Sequence, residues 1–70
     1  MKKFICFIDA DDYTWLINID EIICVEQHSN SECKSIIHIP NFNIWMAEPV
    51  SEIYDMIKKH FEENEKANNK

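Results

Sequence analysis

Up to Ala47 the chain is a series of short apolar, strand-like runs separated by polar turn clusters, and beyond it the apolar residues recur with a period near 3.6. Lys3 to Asp9 is a short aromatic and β-branched run that ends in the turn cluster Asp9-Ala10-Asp11-Asp12, which predicts a strand and a turn. Tyr13 to Asn18 reads as its hairpin partner, and Glu21 to His28 as a third strand. The polar stretch Ser29 to Glu32 predicts a turn, Cys33 to Ile39 a fourth strand, and Pro40 to Asn43 a turn into a fifth strand at Ile44 to Ala47. After Pro49, the residues Val50, Ile53, Tyr54, Ile57 and Phe61 fall on one helical stripe, while Glu52, Asp55, Lys58, Lys59 and Glu62 face away. Pro49 suits a first helical turn, and acidic residues early with Lys58, Lys59 and His60 later suit the helix dipole.

The fold class that follows is α+β: a small antiparallel β-meander of about five strands with one C-terminal helix packed on it. Residues 1–62 form a single domain and 63–70 a frayed polar tail, in which Ala67 is the one apolar residue.

The strands are apolar on both sides. With Ser29 to Glu32 as a four-residue loop, His28 lies opposite Cys33, and Ile23, Val25, Ile36 and His38 share one face while Ile22, Cys24, Ile37 and Ile39 share the other. In the first hairpin Phe4, Cys6 and Ile8 oppose Ile5 and Phe7, and Trp15 and Ile17 oppose Leu16. A sheet with one wet face should alternate apolar with polar, and one helix covers one face only. Four or five large side chains left in water represent several kcal/mol of unclaimed burial, at about 25 cal/mol per Å². Two outcomes are open: the second face is an interface, or the sheet curls into a small barrel that hides it. On the interface reading the candidate partner-binding residues are Trp15, Ile23, Val25, Ile36, Phe42 and Trp45, since aromatic anchors within a polar rim suit protein contacts.

Composition removes several function classes. Seven Lys, no Arg and thirteen acidic residues give a net charge of −6, the wrong sign for phosphate binding, so no direct nucleic-acid contact is expected. Glycine is absent, so neither a P-loop nor a dinucleotide-binding turn can be built, and tight turns fall to Asn and Asp. The same composition suggests an AT-rich genome, a low-GC bacterium or its phage. The apolar run from Phe4 breaks at Asp9 with no cleavage signal, and no stretch reaches the roughly 20 residues of a membrane span, so a cytoplasmic chain with no membrane contact is expected. Its three cysteines read as reduced thiols.

Catalytic, cofactor and metal sites are not expected. Cys24 and His28 stand four residues apart on one strand face, about 13 Å, too far for one zinc ion. Cys33 at a turn edge could meet His28 across the hairpin, yet such a pair lacks a cleft or oxyanion hole, and an inert thiol is the plainer reading. Asp9, Asp11 and Asp12 lack the glycine and terminal Glu of a calcium loop.

The run Trp15-Leu16-Ile17-Asn18-Ile19-Asp20-Glu21-Ile22-Ile23-Cys24-Val25-Glu26 resembles the core of the FlbD family of small flagellar and swarming-motility regulators. Ile37-His38-Ile39 and Ile44 to Ile53 resemble that family's last hairpin and helix start, so the likeness spans residues 4 to 60. The family carries glycines where this chain has Asp11-Asp12 and Asn41-Phe42-Asn43, and the cysteines and both tryptophans lie outside its pattern. The resemblance implies a helix-capped meander and a non-catalytic regulator acting through contacts.

The expected function is a non-catalytic regulatory module that binds a protein partner through an apolar sheet face, as a homodimer. The alternative is a phage-encoded acidic inhibitor of a host defence system, either an anti-CRISPR-like blocker of a nuclease groove or a sponge for a nucleotide signal.

Overall fold

The computed structural model describes residues 3–68. They form five antiparallel strands in two sheets and one C-terminal helix, an α+β fold. Strands β1 (Phe4–Ile8) and β2 (Thr14–Asn18) make a hairpin; β3 (Cys24–Gln27), β4 (Ser35–Ile39) and β5 (Phe42–Met46) make a second sheet in that order; α1 spans Val50–Asn68. The short apolar runs became strands and the 3.6-period segment became the helix, as expected.

The turns show how a chain without glycine bends. In the β1–β2 turn Asp12 takes φ 67°, and in the β4–β5 turn Asn41 takes φ 71°, the left-handed region that short polar side chains tolerate best after glycine. Pro40 sets the first central position of a two-residue loop between Ile39 and Phe42, and a left-handed second position completes a type II pattern. The loop is shorter than the Pro40–Asn43 turn expected, so β5 starts at Phe42.

Between the sheets the chain makes one 3-10 turn, Ile19–Glu21, and β3 runs Cys24–Gln27 where a strand from Glu21 to His28 was expected. The Asn18 side chain accepts from the Asp20 amide at 2.9 Å and caps the turn, so the regular strand starts at Cys24, while the Ile23 amide still donates to the His38 carbonyl at 2.8 Å.

The core lies between the two sheets. Ile5, Phe7 and Ile17 from the hairpin meet Ile37, Ile44 and Met46 from the second sheet, and Ile53 of the helix closes one end. Val25, Ile39 and Ile57 pack around this cluster. The hairpin and helix therefore cover the inner side of β3–β5 together, and a continuous five-stranded barrel does not form.

The helix begins where Pro49 offers its carbonyl to the amides of Glu52 and Ile53, and the Ser35 hydroxyl donates to the Glu48 carbonyl at 2.7 Å, fixing its start. Ile53 and Ile57 make the contact, while Tyr54 and Phe61 of the same stripe stay exposed. The helical backbone continues through Asn68, into the polar tail expected at 63–70, where Glu, Lys and Ala are strong helix formers. Residues 69 and 70 of that tail lie outside the described residues.

Candidate functional site

The register of β3 against β4 decides what each face presents. The loop holds five residues rather than four: the His28 amide donates to the Lys34 carbonyl, and Asn30 closes the turn through Cys33 and Glu32. Every β3–β4 pair shifts by one, so Val25 stands opposite Ile37 and Glu26 opposite Ile36. A one-residue slip sends side chains to the other face.

The outward side of β3–β5 is consequently mixed rather than apolar. Cys24, His38 and Asn43 form one cross-strand row, and Glu26, Ile36 and Trp45 the next. His38 ties the three strands together, with Nε2 2.8 Å from Glu26 Oε1 and Nδ1 2.9 Å from Asn43 Oδ1. The His28 ring meets Trp45 edge-on, centroids 5.2 Å apart. Trp45 also anchors the other sheet, because its carbonyl accepts from the Ala10 amide at 2.8 Å.

The apolar outward surface belongs to the hairpin. Opposed pairs Ile5–Ile17 and Phe7–Trp15 point inward, which turns Phe4, Cys6, Ile8, Thr14, Leu16 and Asn18 outward. Phe4 is 40%, Ile8 57% and Leu16 61% exposed, and none of the six residues carries a formal charge. Met56 on the helix continues this surface beyond Cys6, across a shallow groove of about 410 Å³ that Lys59, His60 and Glu63 also line.

Asp9 organises the hairpin's closed end. Its Oδ1 accepts from the amides of Asp11 and Tyr13, and its Oδ2 from the Trp15 indole at 2.8 Å. The Trp15 bond holds the Asp9 carboxyl below its usual value; burial acts against it, and the Tyr13 and Asp11 amides lower it further.

The six residues expected to bind a partner do not form one face. Val25 packs against the core beside Ile37, and Trp15 is half-buried, bonded to Asp9 and 6.1 Å from the Phe42 ring. Ile36 sits on the outward side of the second sheet but is only 7% exposed. Ile23, Phe42 and Trp45 are exposed. The slip in register separates Val25 from Ile36. Sequence parity places Phe4, Cys6 and Ile8 together; it does not show that the inner side of the hairpin shares with the helix the covering of the second sheet.

No protein-family model, curated protein or solved structure matches the chain.

Cys33 is buried and donates to the Ser35 carbonyl at 3.3 Å, while His28 lies against Trp45, so the conceivable Cys33–His28 pair does not form. Cys24 is the cross-strand neighbour of His38, but both ring nitrogens of His38 are engaged by Glu26 and Asn43. Among the described residues, no three His, Cys, Asp or Glu groups come together in a way that could hold a metal ion, and no helix is long and apolar enough to cross a membrane.

Proposed function

We propose that this chain is a non-catalytic regulatory module that binds a protein partner through an exposed apolar sheet surface, as a homodimer in the cytoplasm. One observation carries the reading: Phe4, Ile8 and Leu16 stand together on the uncharged outward face of β1–β2. A patch of this kind on a small acidic chain is unclaimed burial that association recovers. The engagement of Cys33 by Ser35 and of both His38 nitrogens supports a role without catalysis. The regulatory part rests on the resemblance to the FlbD family.

The test is photo-crosslinking in the source cell from position 16 on the hairpin face, and from position 45 on the second sheet. A discrete partner captured from either position, and lost when that surface alone is charged, supports the reading; capture from neither position overturns it.

A second reading has its own support. Asp11 and Glu32 line a depression of about 240 Å³ beside Trp45, and their carboxylates have no partner among the described residues. Unpaired carboxylates around an exposed indole suit lysine or arginine side chains, as an inhibitor of a basic nuclease would require. Capture of a basic nuclease from position 45, abolished by Glu32→Gln, favours it.

A further inference from the structure

We infer that a second copy of this chain covers the outward face of β1–β2, with the two hairpins stacked about a two-fold axis that runs across the strands at the Cys6–Leu16 pair. This deepens the proposed function by naming the occupant of its apolar face, and it rests on that reading.

The surface comes first. A compact monomer of 8.4 kDa exposes about 4,600 Å² by the size scaling of single domains. This chain exposes 5249 Å², above that figure. A two-stranded sheet with one naked side is also a weak element by itself.

The pattern of the face then selects the occupant. The five register pairs run from Phe4–Asn18 to Ile8–Thr14 with Cys6–Leu16 at the centre. A two-fold across the strands sets each β1 antiparallel over the other β1. It lays Phe4 over the second copy's Ile8, Leu16 over Leu16, Cys6 over Cys6 and Thr14 over Asn18. Apolar meets apolar and polar meets polar, with every contact repeated twice. The alternative axis, parallel to the strands, would set Phe4 over Asn18 and Ile8 over Thr14, and it wastes the apolar row.

Charge agrees with this choice. Two chains of net charge −6 repel each other, and an uncharged face keeps the carboxylates at the rim. The same two-fold brings Lys3, held by Asp20 at 3.5 Å, towards the second copy's turn at Asp11 and Asp12.

Area sets the strength. A stable interface takes about 800 Å² from each partner. A face of five residue pairs measures only about 17 Å by 10 Å, a projected area of about 170 Å² and well short of that, with Met56 adding at the edge. The dimer is therefore weak and transient, and a dissociation constant on the order of 100 μM is taken as the scale of its test.

Sedimentation equilibrium of the full chain under reducing conditions, from about 5 to 500 μM, spans that constant. The wild type is expected to pass from monomer to dimer. Leu16→Asp and Ile8→Asp, both at exposed positions, should each weaken association at least about tenfold while circular dichroism stays unchanged, and Phe42→Asp should leave it intact. In a Cys24→Ser background, a bis-maleimide about 10 Å long, matching the distance between stacked sheets, should link Cys6 to Cys6. A monomer at every concentration, a dimer indifferent to both hairpin charges, or a dimer that gives no Cys6 link overturns the inference. A monomer that still captures a partner from position 16 or 45 overturns this inference and leaves the binding-module reading standing. A dimer that captures nothing does the reverse.

Discussion

The indole nitrogen of Trp15 donates to Oδ2 of Asp9 at 2.8 Å, so the side chain that opens the β1–β2 turn is bonded to one that lies over the core. The other Asp9 oxygen takes two turn amides, and Asp12 completes the turn in the left-handed region. One carboxylate thus ties a glycine-free turn to the packing beneath it.

This relationship gives stability a dependence on pH. The folded Asp9 carboxyl lies below its unfolded value of about 3.9, so its contribution is fully present above that value and is lost as pH falls through the lower folded value. Asp9→Asn should lower the melting temperature by a few degrees at neutral pH. The gap between variant and wild type should close as both are melted at progressively lower pH. A gap that stays constant down to strongly acidic pH would show that the charge plays no part.

The His38 bridge is expected to matter less than its geometry suggests. The Glu26–His38 contact is 2.8 Å but exposed, with side-chain exposures of 59% and 27%. Exposed ion pairs contribute about 0.2–1 kcal/mol. A double-mutant cycle of Glu26→Gln and His38→Ala by urea unfolding should give a coupling within that range.

Removing a core side chain is expected to cost much more. Ile37 and Ile53 are completely buried at the meeting of the two sheets and the helix. Ile37→Ala should cost about 2–5 kcal/mol. In a chain of 70 residues that is a large share of total stability, and it is measurable as a drop in urea midpoint.

The left-handed Asn41 offers a gain. Asn41→Gly should relieve backbone strain at φ 71° and raise stability by up to about 1 kcal/mol, whereas Asn41→Val should lower it. Thermal melts of the two variants should move in opposite directions.

Thiol chemistry should separate the cysteines. Cys6 and Cys24 are exposed and Cys33 is buried. Ellman's reagent should therefore titrate two thiols quickly in native protein and the third only on unfolding.

Much of this fold was legible from local runs, turn residues and helical spacing. The strands at Phe4–Ile8, Thr14–Asn18 and Ser35–Ile39 and the helix after Pro49 follow local periodicity, because a side chain's direction in a strand or helix depends on its own backbone. Asp12 and Asn41 were likewise readable as turn residues, since no glycine competes for those places. The parity that sets Phe4, Cys6 and Ile8 on one side of β1 was also written in the chain.

Tertiary structure alone decided which side met water. One extra residue in the loop before Lys34 moved Val25 to the core and Ile36 to the opposite face, a choice made by hydrogen bonds between segments rather than by either strand. The pairing of His38 with Glu26 and Asn43 depends on the same register, carried across three strands. The hairpin folds over the second sheet and leaves its own back bare. Local sequence states which residues are apolar, but competition between surfaces for the same core settles which of them remain exposed.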